Sequence, residues 1–78
     1  MTYQTQGVCS KSIDIELKDG VIDSVKFTGG CNGNLQGIGV LVKGMTPQEA
    51  ISRLKGISCN GRATSCPDQL ARALETML

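Results

Sequence analysis

Ser12-Ile13-Asp14-Ile15-Glu16-Leu17-Lys18-Asp19-Gly20-Val21 decides the fold class. Ile13, Ile15 and Leu17 alternate with Ser12, Asp14, Glu16 and Lys18. A period of two is that of a half-buried strand. Asp19-Gly20 comes next, a pair that readily supplies the positive φ angles of a tight hairpin turn. From Val21 to Thr28 the chain returns, with Val21, Val25 and Phe27 in one phase and Ile22, Ser24, Lys26 and Thr28 in the other. The stretch predicts an antiparallel hairpin with one apolar face. Upstream, Thr2 to Val8 predicts an edge strand, with Tyr3 and Thr5 as strand formers.

Downstream the period changes. Leu35, Ile38, Leu41 and Val42 predict a helix from about Leu35 to Lys43, capped by Asn32 or Asn34 and ended by Gly44. Gly37 and Gly39 each cost such a helix about 1 kcal/mol relative to alanine, which close packing would explain. Thr46-Pro47-Gln48-Glu49 is a capping box with proline at the first helical position. It opens a helix through about Lys55 that buries Ala50, Ile51 and Leu54 and is closed by Gly56. A last helix runs from Pro67 to about Met77, with Leu70, Leu74, Met77 and Leu78 as its stripe and Met77 as core filling. The sum is a single α+β domain over residues 1–78, a small antiparallel sheet of about three strands with three helices packed on one face.

A chain of 78 residues has a thin core, so staples are welcome. Eight basic and seven acidic residues leave a net charge of +1, and the aromatics are Tyr3 and Phe27 alone. Neither a basic stripe nor stacking platforms invite nucleic acid. No apolar run is long enough to span a bilayer, and Met1 to Gln6 lacks the basic start and apolar stretch of a secretory signal. The expectation is a cytoplasmic protein with neither membrane nor nucleic acid as partner. A homodimer sharing a sheet edge stays open.

Chemistry is concentrated in four cysteines, Cys9, Cys31, Cys59 and Cys66, each beside Gly, Asn or Ser in a predicted turn or loop. Cys66 lies in Thr64-Ser65-Cys66-Pro67-Asp68, where a loop turns into the last helix. If Cys66 caps, Pro67 takes the first helical position; if Ser65 caps, Asp68 stands three residues on, a capping-box spacing with Asp for Glu. Cysteines at helix starts lean toward the thiolate, the form that ligates metals and attacks electrophiles. Cytosolic cysteines serve as thiols or metal ligands more often than as structural disulfides. The chain has no histidine. That removes Ser-His-Asp and Cys-His nucleophilic machinery and mixed Cys/His zinc sites. Three readings stand side by side: a thiolate metal site holding zinc or an iron–sulfur cluster, thiol redox between Cys59 and Cys66, and reduced cysteines that only pack.

Thr64-Ser65-Cys66-Pro67-Asp68 is the signature of the TSCPD domain family, and the whole chain resembles its short stand-alone bacterial form. Gly30-Cys31-Asn32-Gly33-Asn34-Leu35 and Cys59-Asn60-Gly61 fit that form too. In that family the domain also occurs at the C-terminus of adenosylcobalamin-dependent (class II) ribonucleoside-diphosphate reductases. The resemblance therefore implies an accessory role in ribonucleotide reduction for DNA precursor synthesis, with the reductase or a redox protein as partner and a dithiol delivering electrons. Nothing in the chain builds a nucleotide-reducing barrel, a cobalamin site or a P-loop, so catalysis by the chain alone is not expected.

A weaker resemblance is to the U-type iron–sulfur cluster scaffold proteins, in the order of Cys9, Gly30-Cys31, Lys43-Gly44-Met45-Thr46 and Cys66. It implies a similar fold and Cys9, Cys31 and Cys66 as ligands. Where those scaffolds carry an aspartate after the first cysteine and a histidine before the last, this chain has Lys11 and Ser65, and Cys59 has no counterpart. The departures point to a more permanent all-cysteine site with Cys59 as fourth ligand.

Overall fold

The computed structural model describes residues 1–30, 32–58, 61 and 63–78, and of Asn32 the backbone alone. Three strands and three helices occur in order: β1 (Thr2–Gln4), β2 (Ser10–Lys18), β3 (Val21–Gly29), α1 (Asn32–Val42), α2 (Pro47–Leu54) and α3 (Cys66–Thr76). The sheet is antiparallel in the order β1-β2-β3. The α+β arrangement expected from the hairpin and the three helical periods is the one observed. Among the described residues no helix is long and apolar enough to cross a membrane.

Asp19 and Gly20 turn the hairpin with φ angles of 54° and 80° between the paired Lys18 and Val21. Two positive φ angles match the turn to the twist of its strands. Pairing Ile13 with Phe27, Ile15 with Val25 and Leu17 with Ile22 puts these side chains on one face. Strict alternation places Ile22 on the opposite face. The register corrects this: Glu16 pairs with Ser24 and Leu17 with Ile22, so Asp23 is an extra residue. A bulge of one residue reverses the phase, and Ile22 ends fully buried. β1 is shorter than predicted, three residues from Thr2.

The buried face meets all three helices. Ile13, Ile15 and Ile22 pack in one cluster with Val42 of α1, Ala50 of α2 and Leu70, Ala73 and Leu74 of α3. The predicted stripes need two corrections. Leu41 is 74% exposed and Leu78 65% exposed. Leu41 lies on a side of α1 that nothing covers, and Leu78 stands beyond the last residue of α3, Thr76. Met77 packs against the cluster as predicted. α1 begins at Asn32, so Asn32 and Asn34 are helical residues and not caps. Gly44 (φ 90°) lies just past its end, and Thr46 caps α2 by accepting the Glu49 N–H at 3.2 Å.

Helix α1 and the turn after it cover the outer edge of β3. Ile22 donates its N–H to the Met45 carbonyl and accepts from the Gly44 N–H, both at 2.8 Å. Gly39 of α1 lies against the Val25 carbonyl so closely that a Cβ on it would stand 2.7 Å from that oxygen. An open strand edge is a template for unwanted pairing, and here that edge is shielded.

Candidate functional site

The start of α3 is built by its own residues. Ser65 is the cap: its backbone is extended, and its Oγ accepts the Asp68 N–H at 3.1 Å. This settles the register, with Cys66 and Pro67 as the first two helical residues. The same Oγ donates to the Ile57 carbonyl at 2.5 Å. A capping box would turn the Asp68 side chain back to the Ser65 N–H. Here Asp68 reaches elsewhere. Its carboxylate accepts from the Gly56 N–H at 2.7 Å, from Thr64 Oγ1 at 2.5 Å and from Arg72 Nε at 2.8 Å.

Asp68 is 1% exposed. Burial pushes its carboxyl upward, but the hydrogen bonds from Thr64, Gly56 and Arg72 and the Arg72 charge outweigh it and hold the group below its ordinary value. Thr64 Oγ1 accepts in turn from Gln69 Nε2 at 3.0 Å, and Gln69 Oε1 accepts from the Gln6 N–H at 3.1 Å. Among the described residues no buried side-chain nitrogen or oxygen lacks a partner. The five-residue signature is thus a clamp: it pins Gly56 and Ile57 on one side of a loop and Thr64 on the other.

Against this helix start lies the segment joining β1 to β2. Thr5 Oγ1 donates to the Ser10 carbonyl at 2.6 Å, and the Thr5 N–H to the Lys11 carbonyl at 3.2 Å. Ser10 pairs with Gly29 and Ser12 with Thr28, leaving Lys11 as an extra residue in β2. Strict alternation would send Ser10 outward with Ser12 and Asp14. The bulge re-aims it, and Ser10 is buried with Oγ 3.2 Å from Cys66 Sγ. Sequence reading missed Ser10, because a bulge is decided by pairing across the sheet.

Cys9 and Cys66 come together. Their sulfurs are 3.8 Å apart across 57 positions of sequence, with Cys9 exposed and Cys66 buried, and neither is in a disulfide. Gly30 closes the other side of Cys9. Its φ is 79°, and a Cβ there would meet Leu35 Cδ1 at 2.9 Å, Cys9 Sγ at 3.2 Å and the Ser10 nitrogen at 3.2 Å. Only a residue without a side chain fits. Cys31 and Cys59, the other predicted ligands, lie outside the described residues. Among the described residues no three His, Cys, Asp or Glu side chains are grouped to hold a metal ion.

The TSCPD domain family model matches residues 1–78, the whole length of the chain. Neither a curated protein nor a solved structure matches it.

Proposed function

The chain belongs to the TSCPD domain family, and on that premise we propose that it is a thiolate metal-binding module with Cys9, Cys31, Cys59 and Cys66 as ligands of zinc or an iron–sulfur cluster. The observation that carries the reading is the Cys9–Cys66 pair. Two thiolates on one tetrahedral zinc, each at about 2.3 Å, are about 3.8 Å apart. The two sulfurs stand at 3.8 Å. Covalent reach supports the other two ligands. Cys31 is next in the chain to Gly30, which abuts Cys9 Sγ, and Cys59 is two residues beyond Ile57, whose carbonyl accepts from the Ser65 hydroxyl at the start of α3. Consecutive Cα atoms are about 3.8 Å apart, so neither tether is long.

The donors fit soft metals. With no histidine in the chain, an all-sulfur set suits zinc or iron. Zinc would close a structural site; a cluster would carry an electron. Ser10, with its hydroxyl 3.2 Å from Cys66 Sγ, is placed to donate to a bound thiolate.

Protein purified without oxygen is expected to carry about one zinc per chain, or iron with sulfide and a brown colour. Cys66→Ser and Cys31→Ser should each empty the site. Unchanged metal content in both variants would end this reading. The family's occurrence in class II ribonucleotide reductases suggests the partner class, a reductase or a redox protein that supplies one. A reductase retained by the tagged chain from the cells that make it would support that role, and a reductase that neither binds nor turns over faster would remove it.

A further inference from the structure

We propose that Cys9 and Cys66 form a reversible disulfide in response to a hydroperoxide, with Cys9 as the sulfur attacked by oxidant and Cys66 as the sulfur that resolves it. The proposal rests on the reduced pair itself, in the chain free of metal. The two sulfurs are in contact at 3.8 Å, one exposed and one buried. An oxidant from solvent therefore meets Cys9 first, and the Cys66 thiol in contact with it is buried. That is the layout of a peroxidatic and resolving pair. Closing the bond requires the sulfurs to approach to about 2.05 Å. Cys9 lies in a bend outside both strands, so its side chain can turn without breaking a ladder. Gly30 leaves it room, presenting no side chain where a Cβ would stand 3.2 Å from Cys9 Sγ.

The chemistry balances. The Cys9 sulfur attacks a peroxide oxygen, the O–O bond breaks, and the departing oxygen leaves as water or alcohol with a proton. Cys9 is then a sulfenic acid. The Cys66 sulfur attacks it, the S–S bond forms, the S–O bond breaks, and the hydroxyl leaves as water with the Cys66 proton. The thiols give up two electrons and two protons, and the hydroperoxide takes up both. Ser10 Oγ, 3.2 Å from Cys66 Sγ, is a positioning group for the second step. A small-molecule dithiol reverses the reaction by exchange.

The test is disulfide mapping by mass spectrometry on the full chain treated with hydrogen peroxide, both as purified and after incubation with chelator. The expected result is loss of two of the four thiols and one linkage joining the peptides of Cys9 and Cys66. In Cys66→Ser, Cys9 should stop at a sulfenic acid trapped by dimedone, and in Cys9→Ser thiol loss should slow about tenfold. A linkage to Cys31 or Cys59, over-oxidised Cys9 beside reduced Cys66, or four thiols surviving after chelator would each overturn the proposal. A chain purified without metal that still forms the Cys9–Cys66 bond would remove the metal reading and leave this one standing.

Discussion

Asp68→Ala is expected to cost about 3 kcal/mol, because it strands donors that meet at one buried carboxylate. The Gly56 N–H, Thr64 Oγ1 and Arg72 Nε all converge on Asp68, which is 1% exposed. A chain of this length holds only about 4–12 kcal/mol in total, so the thermal midpoint should fall by about 15 °C. Asp68→Asn keeps the shape and one acceptor and should lose about half as much. The pH dependence has a definite sign. The folded carboxyl is held below its ordinary value. Its stabilising contribution is therefore complete above about pH 4 and is lost as pH falls through the lower folded value. Midpoints measured from pH 7 downward should converge for the native chain and Asp68→Asn below about pH 4. A gap that stays constant into acid would show that the charge contributes nothing.

Gly39→Ala and Gly37→Ala should move stability in opposite directions, although the residues are two apart on one helix. Gly39 faces β3, where a Cβ would stand 2.7 Å from the Val25 carbonyl oxygen, and backbone cannot give way as a side-chain tip can. Helix α1 would have to lift from the strand it covers, at a net cost of about 2 kcal/mol. Nothing lies within 4 Å of the Cβ position at Gly37. Two residues at 3.6 per turn put it on the far side, where alanine should gain about 1 kcal/mol. Denaturant midpoints of the two variants decide the matter; a stabilised Gly39→Ala would mean that α1 does not press on β3.

These contrasts separate local signals from signals that exist only between distant segments. The hairpin was legible because a period of two and Asp19-Gly20 are local, and the two positive φ angles are local too. The bulges at Asp23 and Lys11 were not, because they exist only in the pairing of β2 with β3. With them went the true faces of Ile22 and Ser10. Close packing explained Gly39 but not Gly37, since the two look alike until a partner strand is laid against one of them. The signature at residues 64–68 announced a helix start but not a clamp, for Gly56 lies twelve positions before its acceptor. Cys9 and Cys66 were each legible as loop thiols. Their meeting required the fold.

The contacts of that meeting have a kinetic meaning. Gln6 with Gln69, Cys9 with Cys66 and Ser10 with Cys66 join positions separated by 63, 57 and 56 residues. A refolding chain that made them early would have to close a loop through nearly its whole length before the hairpin and α1 repaid the lost entropy. The hairpin is short-range and can form first; the sulfur pair belongs with the final docking of α3. Proximity of the two thiols is thus a clock for the last stage of folding, and a fragment lacking either end would have no sulfur pair to observe.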